Sequence, residues 1–194
     1  VVAPASNGFT IPRSLGFVEA TALSQSGPVA LHMLRDRAVL TADDVVLVTS
    51  ASGAIGSAVI QLAKLDGATV IAAAGGTERM DYVRTLGADH LIDYAAEPEI
   101  APSVRNIVPS GVSLYVESAG SPPIWDQAIK SMARRGRVTV CGSHAGPIVD
   151  LNLNWLFRTR LSILGSSGST RRTFADALAL AGAGHLRPNV DTVH

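Results

Sequence analysis

The chain has 194 residues, 47% of them hydrophobic, and its sixteen basic and sixteen acidic side chains cancel. That is enough to bury one good core, within the usual ~50 to 250 residues of a domain, and the even charge excludes a broad footprint for nucleic acid or an anionic membrane surface. A lone cysteine, Cys141, excludes an internal disulfide framework and speaks against a thiolate metal cluster, while no apolar run approaches the ~20 residues of a membrane span and no secretory leader opens the chain, so a soluble cytoplasmic protein is expected.

The chain opens without Met on the strand-like Val1-Val2-Ala3 and stops at Val190 to His194 in what reads as mid-strand, the pattern of an excised fragment. After an irregular opening with Pro4 and Pro12, residues Val18 to Ala38 have a helical pattern, which Pro28 is expected to divide in two. Residues Val45 to Gly56 read VVLVTSASGAIG, a β-branched run ending in small residues, directly before the amphipathic stretch Ser57 to Leu65. Ile55, Val59, Leu62 and Ala63 share one helical stripe there.

A strand that enters a helix through a turn without bulky side chains aims unpaired backbone N–H groups and the positive helix end at one spot, where an anion such as a pyrophosphate belongs. Ala51 takes the first position of the G-x-G-x-x-G pattern, followed by Gly53 and Gly56. The next strand, Ala68 to Ala73, completes a βαβ unit of about the ~30 residues that a dinucleotide fingerprint requires. The plainer reading of these glycines is tight strand-to-helix packing.

Further strands are expected at His90 to Ile92, Ser113 to Glu117, Arg137 to Cys141 and Leu161 to Leu164. Thr77 is placed to cap a helix with Met80, Val83 and Leu86 inward and Gly87 as its left-handed stop. Ser121 opens another, with Pro122 and Pro123 in its first turn, a stripe of Trp125, Ala128, Ile129 and Met132, and Gly136 at its end. A last helix runs from Thr173 to Ala181. The pattern implies a Rossmann-type, doubly wound, parallel six-stranded sheet with helices on both faces.

Ligands of such sheets bind beyond the strand C-termini, which gathers Ser50 to Ala54, Ala74 to Thr77, Asp93 and Tyr94, Ser118 to Gly120 and Cys141 to Ser143 around one crevice. Where an NAD site carries Asp or Glu at the end of the second strand, this chain has Ala74, then Gly75, Gly76 and Thr77. Arg79 stands in the first turn of the next helix, where a cation opposes the helix dipole unless an anion lies nearby. A 2′-phosphate is such an anion, so these residues favour NADP(H); a solvated surface arginine is the plain alternative. Tyr94 fits either packing on adenine or an ordinary strand end.

Several residues carry a bland reading beside a chemical one. Cys141 closes an apolar strand as a small buried side chain would. His32 and His144 are the histidines near the crevice, without a partner visible in sequence, so no catalytic residue is assigned. Arg134, Arg135 and Arg137 suit capping of a helix end, and Arg158, Arg160, Arg171 and Arg172 flank the last strand, where they keep an exposed edge soluble.

The segments ALHMLRDRAVLTADDVVLVTSASGAIGSAVIQLAKLDGATVIAAAGG, RTLGADHLIDY, SLYVESAG, ARRGRVTVCG and LSILGSS occur in an order that resembles the medium-chain dehydrogenase/reductase superfamily. The resemblance is greatest to its NADPH quinone oxidoreductase branch and to zinc-type alcohol dehydrogenase-like proteins. It implies a coenzyme domain of an enzyme that moves hydride from NADPH to a quinone, enone, aldehyde or similar small molecule. It further implies the pyrophosphate over Ser52, Gly53, Ala54 and Ile55, the 2′-phosphate at Gly76, Arg79 and Tyr94, beside the room that Gly75 leaves, and the nicotinamide end past Ser118, Ala119, Gly120, Cys141, Gly142 and Ser143.

By the same resemblance, residues 1–40 lead into a nucleotide domain over 41–185, and 186–194 begin a return to a catalytic domain that is missing here. The last strand is expected to pair with its copy in a homodimer. The cysteine that zinc-using members carry before the first nucleotide strand aligns near Ser24, so zinc is not expected. The short-chain dehydrogenase pattern fails, because Ser50 and Ala54 replace required glycines and none of Tyr82, Tyr94 or Tyr115 has Lys four residues on. The reading from another class is a non-catalytic nucleotide-binding or dimerisation module.

Overall fold

A computed structural model of the chain describes residues 4–190; the strand-like readings at Val1 to Ala3 and beyond Val190 lie outside the described residues. Six strands form one all-parallel sheet: β1 (Val45–Val48), β2 (Thr69–Ala74), β3 (His90–Asp93), β4 (Val112–Glu117), β5 (Met132–Val140) and β6 (Ser162–Gly165). Their order is β3-β2-β1-β4-β5-β6. The chain winds outward from β1 to β3, crosses back, and winds the other way from β4, so the switch point lies between β1 and β4.

Seven α-helices connect and cover the strands: α1 (Phe17–Leu31), α2 (Ala54–Leu65), α3 (Thr77–Thr85), α4 (Ile100–Ile107), α5 (Pro122–Lys130), α6 (Leu153–Thr159) and α7 (Arg171–Gly182). Alternation along each strand sends side chains to two separate cores. Val46, Val48, Val70, Ala72, Leu114 and Val116 pack with α1, α2, α3 and α7, and Leu47, Ile71, Ala73 and Tyr115 pack with α4, α5 and α6. The doubly wound sheet expected from the sequence is therefore present.

Four local expectations are corrected. Pro28 does not divide α1, which runs on to Leu31 and passes directly into a π-helix over His32–Arg37. Burial explains this: Gly27 and Pro28 are shielded where α1 packs on α2 and α7, and tertiary packing outweighs one missing helical N–H. Thr77 is the first residue of α3 rather than its cap; Gly76, at φ +92°, takes that place.

The helix from Ser121 stops at Lys130, and Gly136 lies in β5 instead of ending it. There the register jumps from Val112↔Met132 to Leu114↔Arg137, so β5 bulges, and a Cβ on Gly136 would stand 2.6 Å from Met132 Cε. The arginines are reassigned accordingly. Arg134 and Arg135 are exposed on the bulge, while Arg137 pairs with Asp44 and donates to the Ala38 carbonyl that closes the π-helix.

Candidate functional site

The turn after β1 is shaped for close approach. Ser50 adopts φ +51°, Gly53 N–H donates to the Ser50 carbonyl at 2.9 Å, and Gly53 then caps α2. Ser57 N–H makes the first bond back into the helix, to Gly53 at 2.8 Å, which leaves the amides of Ala54, Ile55 and Gly56 without helical acceptors. A Cβ on Gly56 would stand 2.5 Å from the Ser50 oxygen. Gly53 and Ala54 are exposed, so the helix end is open to a ligand.

Ala54 and Ile55 line a cavity of about 370 Å³ at the β1/β4 switch point, with Gly56 buried behind them. Ser50, Gly53, Ala54 and Ile55 form one wall and Ser118 and Ala119 another, with Gln25 and Ser26 of α1 and His144 completing it. The sequence-predicted Ser52 stands on the same turn, half-buried and off the cavity lining. Gly120, Gly142 and Ser143 lie just behind: a Cβ on Gly120 would meet Ser143 Cα at 2.5 Å, and one on Gly142 would overlap the Ser118 carbonyl. Cys141 packs against the core rather than the cavity, and burial, then the nearby Glu117 charge, pushes its thiol up to about 11.

The second group sits at the ends of β2 and β3. Tyr94 lies over Gly75, where a Cβ would stand 2.8 Å from its ring. Asp93 Oδ1 accepts the Gly76 and Ala95 amides, each at 2.9 Å, and these backbone bonds hold its carboxyl below the usual range. The Gly76 amide is thereby occupied. Arg79 is exposed and makes no ion pair among the described residues.

His32 bonds Asp36 at 3.0 Å and does not line the cavity, whereas exposed His144 does. Sequence reasoning missed Gln25 and Ser26, because they sit on a helix remote in sequence from the glycine turn. It also missed Glu117, whose signal was a carboxylate closing an apolar strand, and Tyr115, whose hydroxyl donates to Glu117.

Among the described residues no three His, Cys, Asp or Glu side chains group as ligands, and the Ser24 hydroxyl, at the position aligned with the zinc-ligand cysteine, donates to the Thr21 carbonyl at 2.7 Å.

A parallel doubly wound sheet with open helix amides at its switch point defines a Rossmann-type dinucleotide-binding domain. The chain belongs to the zinc-binding dehydrogenase family, whose model matches residues 54–183, and with it to the medium-chain dehydrogenase/reductase superfamily. It is 32% identical over 198 aligned positions to quinone oxidoreductase-like protein 2 of Bos taurus, covering 96% of this chain and 56% of that protein. A 2-alkenal reductase (NADP(+)-dependent) of Nicotiana tabacum is 33% identical over 100 residues, 51% of this chain and 29% of its own. The crystal structure of an NAD-dependent alcohol dehydrogenase superposes with TM-score 0.89 at 31% identity, covering 97% of this chain and 55% of that one. The chain thus spans about half the length of the bovine relative and of that dehydrogenase.

Proposed function

We propose that residues 41–185 are the NADP(H)-binding domain of a zinc-independent oxidoreductase that transfers hydride between NADPH and a quinone, enone or other carbonyl-type small molecule. The observation that carries this reading is the set of open α2 amides beside Gly53, facing the switch-point cavity. Ser52, Gly53, Ala54 and Ile55 hold the diphosphate there. Ser118, Ala119, Gly120, Gly142 and Ser143 bound the nicotinamide end, with Cys141 as packing behind them.

Coenzyme choice rests on charge. Ala74 supplies no carboxylate, Asp93 is engaged by the Gly76 and Ala95 amides, and Arg79, in the first turn of α3, makes no ion pair among the described residues. The names of the relatives point both ways, one to NADP(+) and one to NAD, so Arg79 is what favours the 2′-phosphate. Gly75 lets Tyr94 lie flat beside the adenosine.

The coenzyme supplies the hydride; this chain's residues bind, orient and exclude water. The exposed edge of β6, with Ile163 38% exposed, supports pairing with a second copy in a homodimer. No helix among the described residues is long and apolar enough to cross a membrane; a cytoplasmic site of action belongs to the proposal. Calorimetric titration of this chain with NADPH and NADH, alongside NADPH oxidation by the longer parent protein over a panel of quinones and enones, tests the reading, since the coenzyme domain alone is expected to bind without turning over. Tight NADPH binding with turnover supports it, and no heat with either coenzyme overturns it.

A further inference from the structure

Glu117 is the most deeply buried carboxylate among the described residues, 1% exposed, and no arginine, lysine or histidine there pairs with it. A buried charge persists only where hydrogen bonds satisfy it. Three neutral donors do so: the Tyr115 hydroxyl on Oε2, and the Ala119 and Gly120 amides on Oε1 at 2.6 and 2.8 Å. Burial, and then the Glu117 charge, raise the Tyr115 phenol well above its ordinary range, so it stays the donor.

The bonds continue at both ends. Thr49 Oγ1 lies 3.2 Å from the Tyr115 hydroxyl and directly precedes Ser50 of the cavity wall. The Ala119 carbonyl accepts the Ala145 amide at 2.8 Å, beside His144 of the same wall. One connected network therefore joins the turn after β1, the turn after β4 and the turn after β5, the three loops that line the cavity opposite α1.

We infer that Glu117 is a positioning residue: through Ala119 and Gly120 it fixes the wall against which the nicotinamide half of the coenzyme packs, an inference that rests on the coenzyme reading above. Its carboxylate also fills the two convergent amides after β4. That turn then offers no free anion site, and the diphosphate is left to the amides of α2.

The test compares NADPH with 2′,5′-ADP, which lacks the nicotinamide half, by calorimetry on the whole chain. Glu117→Met strands the buried Gly120 amide and the part-buried Ala119 amide and is expected to weaken NADPH about tenfold or more, with 2′,5′-ADP unchanged within about twofold. Glu117→Gln restores NADPH binding, because its carbonyl still accepts both amides while its NH₂ meets the Tyr115 oxygen. Unchanged NADPH affinity in Glu117→Met, or equal loss of both ligands, overturns the inference.

Amide hydrogen exchange of the unliganded wild-type chain provides a check that needs no variant. Slow exchange at Ala119 and Gly120 supports the network, and exchange at the rate of an open loop overturns it even if Glu117→Met fails to fold. A wild-type chain that binds neither ligand instead sinks the coenzyme reading, which distinguishes the two failures.

Discussion

Gly56 and Ser50 are pressed together across the turn after β1, so closely that a methyl group on Gly56 would stand 2.5 Å from the Ser50 carbonyl oxygen and 2.9 Å from Ala51 Cα. Both obstacles are backbone and neither can rotate away. Gly56→Ala is expected to lower stability by about 1 to 3 kcal/mol through overpacking, and to weaken NADPH because the first α2 amides shift. Thermal denaturation and coenzyme titration of the variant measure the two effects separately.

Arg79 is expected to set coenzyme preference. A charge pair between exposed Arg79 and a 2′-phosphate contributes about 1 to 4 kcal/mol, on the order of a tenfold change in affinity. Arg79→Glu should weaken NADPH by that factor and leave NADH close to unchanged. Equal losses for both coenzymes in the same titration would remove Arg79 from the phosphate site.

Stability should fall in acid through Asp44. Burial works to raise its pKa, but hydrogen bonds from Ser113, the Thr41 amide and Arg137 outweigh it and hold the carboxyl below its ordinary value. A depressed folded pKa contributes stability that is present above the unfolded value, near ~3.9, and is lost as pH falls through the folded one. Unfolding midpoints should therefore drop below about pH 4, with a shallower slope in Asp44→Asn. That variant should also lose about 1 to 3 kcal/mol at neutral pH, since Arg137 is left facing a neutral partner.

Cys141 should be a slow thiol. With its pKa raised to about 11 by burial and then by Glu117, it is protonated at neutral pH, and the thiol rather than the reactive thiolate faces any reagent. Alkylation of the folded chain should lag far behind that of the unfolded chain in a colorimetric thiol assay, and NADPH should add little protection because Cys141 packs on the core.

The sheet was legible because its central strands β1 and β2 are continuous apolar runs and its helices carry apolar stripes, so Val45 to Val48 and the Val59, Leu62, Ala63 face of α2 declare themselves locally. The glycine turn was legible for the same reason: small residues at fixed offsets between a strand and a helix. Pro28 misled because a local breaker lost to burial against α2 and α7, and Gly136 misled because a β-bulge and a helix stop ask for the same residue. Glu117 and the α1 side of the cavity stayed hidden. Their roles depend on which loops the sheet order brings together, and no spacing along the chain encodes that Ser26 and Ser118 line one cavity or that Thr49 reaches Tyr115.

Backbone amide NMR of the isotopically labelled chain, titrated with NADPH, probes the α2 terminus most directly. The largest shift changes should fall on the amides of Gly53, Ala54 and Ile55, with a second group at Arg79 and its neighbours. Shifts confined to other loops, or none at saturating coenzyme, would contradict diphosphate binding at this helix end.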